Sequence, residues 1–225
     1  MKKIALNTFI LLFTFIFSYS QSFIKNDVYE VMYSQTFQQP ITLSYEYPNF
    51  KIMAMPTEII SNDIQYPEPV LTPEWVIPKN IVSSNKEDYT LPYHRGHLVP
   101  AKSFMETEHQ KYIYSYLNCA IMHESLNLGV WKKLENRERK LSDNNKVRVK
   151  IILSFSDENH TVDGGATVPT SFTKIIEYSS DWIKPYGKKH EVTREVYSFP
   201  NDDSVKNKDL IFYKNNSLSG KFLIY

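Results

Sequence analysis

The chain has 225 residues, with 26 basic and 25 acidic side chains, a net charge of +1 and one cysteine. That balance excludes a surface of one overriding sign, and the lone Cys119 excludes an intrachain disulfide. Stability must therefore come from packing, and any polyanion must be met by a local cluster of cations.

Residues 1–20 open on Met1-Lys2-Lys3, run through an almost wholly apolar stretch from Ile4 to Phe17, and close on Ser18-Tyr19-Ser20. A positive start, an apolar centre and small residues before a cut make a secretory signal peptide. The run falls short of the roughly 20 apolar residues a bilayer span needs. Export to the periplasm or the medium is the expectation, with cleavage near Ser20 and no membrane association afterwards. Removing the leader takes away Lys2 and Lys3 and turns the net charge to −1. Residues 21–225 then suffice for a single domain with a substantial core, and no linker or repeat divides them.

Between Asp27 and Tyr47 polar and apolar residues alternate as strands do, with Gln38-Gln39-Pro40 as the turn. This predicts a hairpin at the edge of a sheet. Residues 55–90 hold Pro67, Pro69, Pro73 and Pro78 with few periodic apolar positions, and read as an irregular excursion over the core. Trp75 within it reads as a packing anchor, with base stacking as the alternative.

Two polar clusters follow. The first is Tyr93-His94-Arg95-Gly96-His97-Leu98-Val99-Pro100-Ala101. A neutral imidazole, with an unperturbed pKa of about 6.5, takes a proton from water at working pH, which makes His97 a candidate general base. Gly96 opens backbone conformations closed to other residues, and Pro100 keeps a helix from starting early. The alternative is an ordinary half-buried histidine in a turn. From Lys102 a helix or helix-like turn is expected, leading to a short strand near Leu117, with Cys119 as a small buried apolar residue.

The second cluster begins at Asn118 and continues through Asn127, Gly129 and Trp131 to Glu135. A helix is predicted from Asn127 to Leu141. Eight residues at about 100° each leave Asn127 and Glu135 within roughly 80° around its axis, near Trp131 and Leu134. The competing reading makes Asn127 a helix N-cap, Trp131 and Leu134 core, and Glu135 a surface partner of Lys132 or Arg139.

Taken together, Arg95-Gly96-His97 with Leu-Val-Pro-Ala, then Asn118, then Asn127-Leu-Gly-Val-Trp-Lys-Lys-Leu-Glu135, resembles the DNA/RNA non-specific endonucleases of the ββα-metal (His-Me finger) type. The resemblance implies an α+β fold with a central, mostly antiparallel sheet flanked by helices. It implies a metal-dependent endonuclease acting on DNA and RNA, with Mg2+, or Mn2+ in its place, as cofactor. Asn127 matches the direct metal ligand, and Glu135 the glutamate that reaches the cation, commonly through water. Asn118 matches the asparagine supporting the histidine and the metal-bound water. Arg95 matches an arginine beside the histidine that contacts phosphate or structural groups, and Arg139 one that stabilises charge on the phosphoryl group.

The chemistry agrees with those residue types. A phosphodiester needs a base, a cation and a grip on the phosphate. Magnesium keeps much of its water and needs only one or two protein oxygens, while a guanidinium matches phosphate as a flat fork. Basic residues between Lys132 and Lys140 (Lys132, Lys133, Arg137, Arg139 and Lys140) are the candidate groove, with phosphate contact in place of base reading and hence low sequence preference. Two features depart from the pattern. His94 stands where the family has aspartate, and no arginine precedes Arg95, leaving Lys51, Lys79 or Lys86 as candidates for that role.

Beyond the second cluster, Asp143-Asn144-Asn145 reads as a turn and Val147 to Phe155 as a strand. Gly164-Gly165 to Val168-Pro169 leads into a core strand from Ser171. Glu195 to Phe199 and Lys208 to Tyr213 read as further strands without recognisable chemistry. Two rivals stand beside the enzyme: a nuclease fold that binds nucleic acid without cutting it, and a secreted β-rich binding module in which His97, Asn118, Asn127 and Glu135 lie scattered. The sequence leaves the oligomeric state open, a homodimer included.

Overall fold

The computed structural model describes residues 21–47, 84, 86–104, 107–156, 160–180 and 190–224. The leader, most of the proline-rich stretch with Trp75, Lys51 and Lys79, and the side chain of Lys86 lie outside the described residues.

Period-2 patterning governs seven strands: β1 (Gln21–Lys25), β2 (Tyr29–Ser34), β3 (Gln39–Glu46), β6 (Lys146–Ser154), β7 (Ser171–Ser179), β8 (His190–Pro200) and β9 (Gly220–Ile224). They form one antiparallel sheet in that order, so each strand pairs with the next along it. In β6 the alternation buries Val147, Val149, Ile151 and Leu153 and turns Arg148 and Lys150 outward. The hairpin expected over Asp27 to Tyr47 is β2–β3, but it is not at an edge, because β1 covers β2 and β6 covers β3. Its register slips between Met32 and Tyr33, beside Pro40, which has no N–H to give the ladder.

Between β3 and β6 the chain leaves the sheet. It forms the two-stranded ribbon of β4 (Tyr93–His97) and β5 (Cys119–His123), helix α1 (Thr107–Ile113), the short α2 (Glu124–Leu126) and α3 (Lys132–Ser142). Leu126, Val130, Trp131 and Leu134 from this insertion share one core with Leu43, Ile151, Phe172 and Phe199 of the sheet. Each such buried side chain contributes about 1.5–3 kcal/mol. Two amides clip β5 in place. Gln39 Oε1 accepts from Ile121 N at 3.0 Å, while Asn201 accepts from His123 N at 2.7 Å and donates to the carbonyls of Ile121 and Pro169.

Cys119 is buried as expected, and burial pushes its thiol up to about 12, which leaves it unreactive. The strand predicted over Lys208 to Tyr213 is instead a 3-10 turn, Leu210–Tyr213, whose Ile211 and Phe212 face outward and so give the alternation no core to follow. Among the described residues no helix is long and apolar enough to cross a membrane.

Candidate active site

His97 ends β4, and its surroundings are built from three sides. Gly96 before it is required for a different reason from the one its sequence suggests. The strand is extended there, and a Cβ on Gly96 would lie 2.6 Å from Met122 Cβ, so the glycine admits close packing and makes no bend. The chain turns only after His97, where Asn118 holds it. This fully buried side chain accepts from Val99 N at 2.8 Å and donates to the carbonyls of Val99 and Ile113. The Asn118 carbonyl also accepts from Leu98 N at 2.9 Å. Asn118 thus fixes the backbone directly behind the histidine. On the third side, Trp131 Nε1 donates to the carbonyl of His97 at 3.2 Å.

The His97 ring is half-buried and edge-on to Tyr114, at 5.6 Å between centroids. Burial first, and the charge of Arg95 second, lower its pKa to about 4, so the ring is neutral at working pH. Its Nε2 is sealed from solvent without a hydrogen-bond partner. Such an atom is rare in a folded chain and is met by an ordered water or a bound group. Arg139 Nη1 is likewise sealed without a partner, and Tyr116, which the sequence did not single out, sets its hydroxyl beside Arg95.

The second cluster differs from the helix predicted over Asn127 to Leu141. Helical winding starts earlier, at Glu124, where His123 Nδ1 caps Ser125 N at 3.2 Å. Asn127 therefore lies inside the winding with α-helical angles, and the N-cap reading of it fails. A wide π-type turn, Asn127–Trp131, follows, with Gly129 at φ −95° and ψ −114° breaking the helix before α3. The uniform 100° step between Asn127 and Glu135 does not survive that break.

The break leaves Asn127 beside the first cluster, its Nδ2 3.4 Å from Nδ1 of His94. The opposite ring nitrogen, His94 Nε2, lies 3.9 Å from Oε2 of Glu124. Two contacts, Asn127 to His94 and Trp131 to His97, thus join the clusters, so His97, Asn118 and Asn127 do not lie scattered.

On α3, Glu135 is half-buried and makes no hydrogen bond among the described residues. Burial pushes its pKa up to about 7, against the opposing pull of Lys174. Glu138, one turn on, is wholly buried. It accepts from Lys174 Nζ at 2.9 Å and from the hydroxyls of Tyr45 and Tyr47 at 2.6 and 3.0 Å. Lys174 also lies over the Trp131 ring, 3.8 Å from its centroid. Arg139 binds Asn136 through Nη2, and its charge is felt by both Glu135 and Tyr47. The basic run is only partly free for substrate. Arg137 forms a two-pronged pair with Glu195, and Lys133 binds Asp209 and the carbonyl of Lys208.

No set of three or more His, Cys, Asp or Glu side chains among the described residues could hold a metal. The carboxamide oxygen of Asn127 and the carboxylate of Glu135 are oxygen donors without hydrogen-bond partners among the described residues. Oxygen donors of this kind, with no histidine or cysteine among them, suit zinc poorly and suit a hard cation that keeps most of its water.

The model of the DNA/RNA non-specific endonuclease family matches residues 13–220. No curated protein matches the sequence. Among solved structures, the crystal structure of the EndoG/EndoGI complex is similar at 17% identity with a TM-score of 0.66, covering 86% of this chain and 79% of that one.

Proposed function

Because the chain belongs to the DNA/RNA non-specific endonuclease family, we propose that it hydrolyses phosphodiester bonds of DNA and RNA with a hydrated Mg2+ as cofactor, and that it acts after export. One observation carries the reading: two sequence clusters meet, and where they meet His97 Nε2 is left without a partner.

His97, neutral and held by Asn118 and Trp131, takes the proton from the attacking water. Asn127 and Glu135 would hold the cation, which when bound supplies positive charge at the non-bridging and leaving oxygens. Arg95 and Arg139 grip the phosphate, and Arg139 Nη1 brings a buried donor with no competing partner. Contacts of this kind read the backbone more than the bases and give low sequence preference. Export rests on the leader sequence, and absence of disulfides suits a fold held by its core alone.

Digestion of plasmid DNA and of RNA, with and without EDTA, tests the reading. EDTA should abolish cutting by the wild type, and His97→Ala should lower the rate by about 10²–10⁴-fold while its melting temperature stays near that of the wild type. Cutting that persists in EDTA, or in a folded His97→Ala variant, would exclude this mechanism; no cutting at all would favour a protein that only binds nucleic acid.

A further inference from the structure

We propose that His94 and Glu124 form a positioning pair that decides which end of the Asn127 carboxamide is offered to the cation, an inference that rests on the endonuclease reading above. The two ends of a carboxamide have nearly the same shape. A half-turn about its last bond exchanges a ligand oxygen for an NH2 group that repels a cation. Nothing in Asn127 itself chooses between them, so the choice falls to its neighbour.

That neighbour is His94, whose Nδ1 lies 3.4 Å from Asn127 Nδ2. A carboxylate in this place would accept a hydrogen bond in any orientation. An imidazole accepts only through the nitrogen that lacks a proton, so His94 orients Asn127 only in the tautomer with its proton on Nε2. Glu124 supplies the bias toward that tautomer, its Oε2 3.9 Å from Nε2 on the far side of the ring. The other tautomer would set an N–H of the ring against the N–H of the amide and leave Nε2 lone-pair density facing a carboxylate.

The fold builds this arrangement from two places. Glu124 opens α2 and Asn127 follows it by three residues, the spacing that puts two side chains on one helix face. His94 reaches between them from β4. The order Glu124 carboxylate, His94 Nε2–H, His94 Nδ1, Asn127 Nδ2–H leaves Asn127 Oδ1 as the free end. His94 thus does an acceptor's work where the family pattern has aspartate, and Glu124 is the further residue which that substitution requires.

The experiment uses the full chain with Mn2+ alone, bound Mn2+ being read from loss of the free-ion signal in electron paramagnetic resonance, and circular dichroism checking that each variant is folded. Three results are expected. His94→Phe weakens Mn2+ binding by about 10–100-fold. His94→Asp, which restores an acceptor without a tautomer, binds within about threefold of the wild type. Glu124→Gln weakens binding in the wild-type background and has no effect in the His94→Asp background, because no tautomer is left to bias. An equal loss for Glu124→Gln in both backgrounds would mean that Glu124 acts only through its charge and would overturn the pairing. Unchanged binding in His94→Phe would overturn the inference while leaving the cation site intact, whereas binding unchanged in Asn127→Ala would overturn the cation site itself.

Discussion

Glu135 and Glu138 are the same residue one turn apart on α3, and they end in opposite states. Glu138 is wholly buried with an ammonium and two hydroxyls on its oxygens. Glu135 keeps some exposure, makes no hydrogen bond among the described residues and has its pKa pushed up to about 7 by burial. A carboxylate whose partners are all inside the protein contributes to the fold. One that lacks them adds no such link, and burial makes it hold its proton more tightly. The same contrast separates Asn118, which uses both ends of its amide on backbone groups, from Asn127, whose oxygen is free.

The sharpest way to break this comparison is one substitution made twice. Glu138→Gln leaves the Lys174 charge buried without a counter-charge and should cost about 3–5 kcal/mol by urea denaturation. Glu135→Gln should do the reverse in metal-free protein. With a pKa raised from 4.5 to about 7, the folded state binds more protons than the unfolded state across that window, so this group's contribution to stability falls as pH rises through it. Replacing it with an uncharged amide should raise the melting temperature at pH about 8 by about 2–4 °C. Equal losses in the two variants would erase the distinction.

The pH dependence of cation binding sharpens it further. Glu135 must lose its proton to serve a cation, so Mn2+ affinity should rise with pH up to about 7, and that slope should be shallower in Glu135→Gln. His97 titrates near 4, well below this window, and cannot produce that slope. A further variant, Trp131→Phe, shrinks a fully buried ring and removes the donor to the His97 carbonyl. It should lower stability by about 2–3 kcal/mol and reduce kcat more than it changes KM.

Much of this was legible in the sequence because local rules carry it. Alternation marked the strands, and the order and spacing of Arg95, His97, Asn118, Asn127 and Glu135 marked the family. Lys174 was also legible in principle. It falls between Phe172 and Ile176 on the inward face of β7, where a lysine in a core stripe calls for a buried anion. Its partner lies 36 residues earlier, and no periodicity announces it. Gln39 and Asn201 were missed for the same reason, since each clips β5 from about 80 residues away. The break at Gly129 was missed because one glycine in a helical pattern is usually tolerated. Gly96 was given the wrong cause, because only the fold brings Met122 against it.

The break at Gly129 separates two parts of the molecule that obey different constraints. Downstream, α3 is anchored by Glu138 and Trp131 and tolerates little change. Upstream, the segment from Glu124 to Leu128 touches the cluster through side chains that are at most half-buried, Leu126 apart, and a Cβ at Gly129 would meet nothing within 4 Å. Substitution in those few positions, and in His94 opposite them, therefore leaves the hydrophobic interior beneath undisturbed.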